Sequence, residues 1–176
     1  MNRIRTLLAT VAVLAFVPFT AFAQTDTEGV SVTMTPVHTV MAGDFTSLAA
    51  VAAFSVADIG TVPLTYSTNS VATGQTSTIT AAATAWSLPD GATAAMPVLK
   101  ATASAPVGTG AGTTAAKVTL INGDNTLPVG VQTLVTGITN GNGHTTTVTF
   151  EVDASDPTIA GGDYSTTVTF TLTGPV

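Results

Sequence analysis

The sequence predicts an all-β protein: a single antiparallel β-sandwich of the Ig-like, Greek-key type, following an N-terminal signal peptide. Three observations lead there. Short segments alternate apolar and hydroxyl-bearing residues with a period of two, as strands with one buried face do. Gly, Asn, Asp and Pro clusters separate those segments, and beyond the first 23 residues no segment carries the pattern of a long helix.

The N-terminus has the three parts of a cleavable leader. Arg3 and Arg5 form the positive end, Leu7 to Phe19 the apolar run, and Ala21-Phe22-Ala23 the small-residue site before Gln24. The apolar run is shorter than the roughly 20 residues of a bilayer span. The organisation read from this is a signal peptide over 1–23, a polar lead over 24–29 and one β-sandwich domain over 30–176.

Val30, Val32 and Met34 alternate with Ser31, Thr33 and Thr35, which predicts the first strand. Alternation does not say whose sheet a strand joins; pairing within its own sandwich is the reading favoured, and donation to another chain is the alternative. In Asp44 to Ala57, Phe45, Leu48, Val51 and Phe54 share a helical face, while Phe54-Ser55-Val56 also reads as a strand, the reading favoured for the second half. Threonine-rich stretches at 65–68 and 76–84 follow, suited to strands because β-branched residues fit the pleat. Trp86-Ser87-Leu88 is closed by the turn signal Pro89-Asp90-Gly91.

Val98 to Ala103 and Lys117 to Ile121 are strands separated by the Gly- and Pro-rich loop Ala105 to Gly112. Val131 to Ile138 precedes Asn140-Gly141-Asn142-Gly143, a tight-turn signal that predicts a hairpin with Thr145 to Val152 as its second arm. Val148, Phe150 and Val152 face one way there. After the connection Asp153 to Asp163, Val168, Phe170 and Leu172 do the same in the final strand.

Charge narrows the partners. Removing the leader leaves two lysines, Lys100 and Lys117, against ten acidic residues, a formal charge of −8. Such a chain repels phosphate backbones and anionic lipid, so neither nucleic acid nor membrane is expected as a partner after cleavage. With no cysteine, thiol chemistry and cysteine-based metal sites are excluded. High Thr, Ala, Gly and Val content with 8% charged residues is a composition that exported filament, fimbrial and cell-wall proteins often share.

Catalytic groups are sparse, and no enzyme activity, cofactor or metal is expected. His38 and His144 lie in different segments, and His144 is expected to be exposed after the Asn-Gly turn. No nucleophile-elbow pattern accompanies them. Glu151, Asp153, Asp156 and Asp163 concentrate carboxylates, but without the spacing of an EF-hand loop, and read as a solvated acidic loop. Trp86, the single tryptophan, is read as a core anchor, with exposed sugar stacking as the competing role.

Trp86-Ser87-Leu88 is a Trp-x-Leu tripeptide, and the closing strand contains Phe170-Thr171-Leu172 after Gly161-Gly162-Asp163-Tyr164. This arrangement resembles the bacterial WxL-type surface domain, with Phe170 where the second motif has Trp. The resemblance covers Trp86 to Val176 and implies a secreted β-sandwich associated non-covalently with the cell wall. It makes Trp86, Leu88, Tyr164, Phe170 and Leu172 the candidate wall-binding or core residues. The closing pattern is also similar to fimbrial and spore-coat-type pilin subunits, which implies Val30, Val32 and Met34 as a donor strand and a homo-oligomer or filament as the assembly. The function expected is therefore a secreted, non-enzymatic structural or adhesive protein of the cell surface, bound to a cell-wall polymer or to copies of itself. The alternative is a carbohydrate-binding module using Trp86, Tyr66 or Tyr164.

Overall fold

In a computed structural model, residues 38–46, 51–69, 73–88, 95–123 and 128–174 are described. The leader and the candidate donor residues Val30, Val32 and Met34 lie outside them. The described residues contain no helix and form nine strands: β1 His38–Ala42, β2 Val56–Thr68, β3 Ser77–Ala83, β4 Val98–Ala103, β5 Thr113–Thr114, β6 Val118–Ile121, β7 Gln132–Ile138, β8 Gly141–Asp153 and β9 Val168–Thr173. They build two antiparallel sheets, ordered β1-β2-β8-β4-β6 and β5-β7-β3-β9, one of them curled into a half-barrel.

One apolar cluster takes side chains from both sheets. The first contributes Val62, Leu64 and Tyr66 from β2, Val148, Phe150 and Val152 from β8, and Leu99 from β4; the second contributes Ile79 from β3, Val135 and Ile138 from β7, and Leu172 from β9. The register aligns these faces: Val62 lies opposite Val148 and Leu99 opposite Val152. The alternation read from sequence in β8 and β9 is therefore the inward and outward parity of the folded strands.

β2 carries a proline although it is paired on both sides. The Pro63 carbonyl accepts from Gly43 N–H at 2.8 Å, and in an antiparallel strand a residue's nitrogen and oxygen point the same way. The ring nitrogen thus faces the segment just past β1, where no ladder bond from it is needed.

Three expectations are corrected. Phe54 is not in a strand: it sits in a turn with φ 61°, 68% exposed, and β2 begins at Val56. An aromatic side chain in left-handed backbone marks a corner, here the one that turns the chain into β2. The Asn140–Gly143 segment does not close a hairpin, because β7 and β8 belong to different sheets. Ile138 and His144, at the two ends of that segment, are both buried, so each arm contributes to the core from its own sheet.

His144, expected to be exposed, is 3% exposed. β8 starts at Gly141, ahead of the predicted Thr145, which puts His144 on the same parity as Val148 and Phe150. Its ring lies 5.4 Å from that of Tyr66, and neither ring nitrogen has a hydrogen-bond partner.

Four charges on or beside the first sheet form one network. Lys100 on β4 lies 3.6 Å from Glu151 and 3.3 Å from Asp153, both on β8, and Lys117 also bonds Glu151. The Glu151 carboxyl is held below its ordinary value, first by the Lys117 hydrogen bond. Asp153 is held low first by the Ser155 hydroxyl and amide, then by Lys100. A carboxyl depressed in the folded state contributes stability that is complete above the unfolded value, about 4, and is lost as pH falls through the lower folded value. Urea unfolding should therefore show stability dropping below about pH 4. Lys100→Met should cost about 1 kcal/mol or less at neutral pH and make that acid limb shallower without removing it, because Lys117 and Ser155 still hold the two carboxyls low.

Candidate functional site

The ribbon of β3 and β9 continues beyond both strands. Ala81 pairs with Phe170 and Ala83 with Val168, Thr84 N–H donates to the Thr167 carbonyl at 2.9 Å, and Ser87 N–H donates to the Ser165 carbonyl at 2.7 Å. This extension carries Trp86 and Tyr164 to the same end of the molecule. The Trp86 indole N–H donates to the Pro97 carbonyl at 2.9 Å, its ring meets Tyr164 edge to face at 6.0 Å, and the Tyr164 hydroxyl donates to the Ala160 carbonyl at 2.8 Å.

Among the described residues β9 is the last strand of its sheet, bonded to β3 on one side. Beside it an apolar cleft of about 540 Å³ takes walls from both sheets: Phe45 and Phe150 on one side, Val168 and Phe170 on the other, with Trp86 and Tyr164 at its end. Phe150 links the walls, its ring 6.0 Å from Phe45 and 6.5 Å from Phe170. A second cleft, about 660 Å³, adjoins at Ile59, Trp86 and Tyr164 and is lined by Phe54, Val152 and Ile159, with Asp156 and Asp163.

Of the five residues singled out from sequence, Trp86, Tyr164 and Phe170 converge on this cleft. Leu172 is 9% exposed and belongs to the core, while Leu88 is 36% exposed and stands outside the cleft lining. Phe45 and Ile59 were not singled out. Phe45 falls in the stretch where helical and strand patterns overlap, and Ile59 lies in the part of β2 that precedes the threonine-rich signal.

Two of the three aromatics considered for sugar stacking, Trp86 and Tyr66, offer little face to a sugar. Trp86 is 8% exposed and Tyr66 is fully buried, its hydroxyl donating to the Ala111 carbonyl at 2.6 Å; burial pushes that phenol up to about 12. Three of the four carboxylates in the 151–163 stretch are likewise engaged. Asp153 and Asp156 each accept from the hydroxyl and amide two residues on, in Ser155 and Thr158, and Glu151 faces the lysines. Among the described residues no three His, Asp or Glu side chains gather as a metal site, and no helix is long and apolar enough to cross a membrane.

Compared with known protein families, curated proteins and solved structures, the chain matches none.

Proposed function

We propose that this is an exported, non-enzymatic structural protein of the cell surface, a Greek-key β-sandwich whose copies join by strand donation. The observation that carries the reading is the apolar cleft beside β9, whose outer edge has no partner strand among the described residues. An exposed edge beside an apolar groove is the combination that accepts an added strand, with backbone bonds supplying affinity and alternate side chains filling the groove. The sequence holds a matching donor: Val30, Val32 and Met34 alternate with hydroxyl residues ahead of β1. A signal peptide would deliver the chain outside the cell, where such assemblies form. Attachment to a cell-wall polymer through Trp86 is less favoured, because the indole is enclosed and its N–H already paired. The same enclosure weighs against the carbohydrate-binding alternative.

The purified chain from Gln24 onward should form fibres by electron microscopy, or oligomers that grow with concentration in sedimentation. Val32→Asp places an unpaired charge in the donor and leaves every residue of the cleft intact. It should raise the concentration needed for assembly by about a hundredfold or more. A monodisperse monomer at high concentration would overturn the reading.

A further inference from the structure

We infer that the outward face of the sheet β5-β7-β3-β9 is an ice-binding surface. Its rows across β3 and β9 are threonines in register, Thr80 opposite Thr171 and Thr78 opposite Thr173, and Thr80 also lies opposite Thr133 on β7, next to a register shift at Ile79/Thr80. Thr169 continues the β9 column. Side chains on one face repeat at about 6.6–6.8 Å along a strand and about 4.7–4.9 Å between strands, spacings close to the oxygen repeats of an ice prism face.

The chemistry of the face fits ordered water. β-Branched threonine has a stiff χ1, so each hydroxyl and methyl holds its place in the array. The hydroxyls have spare capacity: Thr80 to the Thr171 carbonyl and Thr173 to the Thr78 carbonyl are both long contacts of 3.5 Å, weak by hydrogen-bond geometry. Methyls between them disfavour bulk-like solvation. Hydroxyl anchors at lattice spacing, separated by apolar groups, offer a growing crystal a layer it can continue.

The charge distribution selects the same face. None of the four strands contains a charged residue. The described lysines and carboxylates lie on the other sheet, as with Asp58, Lys100, Glu151 and Asp153, or on connections. A neutral solid is therefore the complementary partner, and charged groups, which organise water around themselves, are kept from it. Crystalline polysaccharide is the other neutral lattice, but sugar rings bind through exposed aromatics, and these four strands contribute none to the outward face. Strand twist of about 20–25° per pair and the register shifts on β7 confine the match to β3 and β9, with Thr133 beside them.

The experiment freezes a dilute solution of the purified chain slowly onto a cold probe and measures protein in ice and liquid. It also follows recrystallisation of polycrystalline ice. Retention in ice and slowed grain growth are expected. Thr80→Lys and Thr171→Lys should each weaken both by about tenfold, while Thr102→Lys and Thr147→Lys on the other sheet leave them unchanged, with circular dichroism confirming the fold of each. Thr171→Ser, which keeps the hydroxyl and removes the methyl, should show an intermediate loss. Exclusion of the wild-type chain from ice, equal loss from lysines on either sheet, or binding to crystalline cellulose or chitin without binding to ice would overturn the inference.

Discussion

Gly112→Ala is expected to destabilise the fold by more than about 3 kcal/mol, a large part of what a domain of this size has. Two penalties combine there. Gly112 has φ +92°, where a side chain costs about 1–2 kcal/mol. In addition, a β-carbon would fall inside contact distance of the Thr136 carbonyl oxygen and against Ile138 and Val135, so backbone rather than a flexible side chain would have to move. The neighbouring Ala111 is buried and accepts the Tyr66 hydroxyl, so displacement spreads into the core. Gly74→Ala separates the two penalties. Its φ is +82° but nothing lies within 4 Å of the added carbon, and only the strain, about 1–2 kcal/mol, should appear. Urea denaturation of the two variants checks the difference; equal losses would show that crowding at Gly112 contributes nothing.

Trp86→Ala should cost about 3–5 kcal/mol, the usual loss for a buried large aromatic, and lower the melting temperature by about 10 °C. The indole closes the ends of both clefts, supports Tyr164 edge to face and satisfies the Pro97 carbonyl. Trp86→Phe keeps most of the apolar area but loses the N–H, and should cost about 1–2 kcal/mol. Because this is the single tryptophan, its fluorescence reports one place. Emission should be blue-shifted in the native chain, unmoved by soluble glycans, and red-shifted on unfolding. A solvent-like native spectrum would contradict the enclosure.

What could be read from sequence was parity. In Val148, Phe150 and Val152, and again in Val168, Phe170 and Leu172, alternation is strict because one face meets the core and the other meets water. Pairing was not readable in the same way. The two Asn-Gly pairs at 140–143 have the chemistry of a hairpin turn, yet the burial of Ile138 and His144 sends the arms to different sheets, and no local signal records that. Length misled too: β2 runs through Gly60 and Pro63, residues that ordinarily end a strand, because β1 gives way at the proline. The site was legible in part for a related reason. Trp86, Tyr164 and Phe170 stand out as rare aromatics in a threonine-rich chain, whereas the opposite wall of the cleft depends on which strand lies across from β9.

Strand exchange between copies can be tested most directly by cross-linking, since the chain has no native cysteine. A Val32→Cys chain and a Phe170→Cys chain, mixed under mild oxidation, should form a disulfide-linked heterodimer. Val32→Cys mixed with Thr102→Cys, on the outer face of β4, should not. If Val32 instead lies in its own chain's cleft, the mixture will stay monomeric and the double variant Val32→Cys/Phe170→Cys will close an intramolecular bond at high dilution. That result would contradict assembly by donated strands.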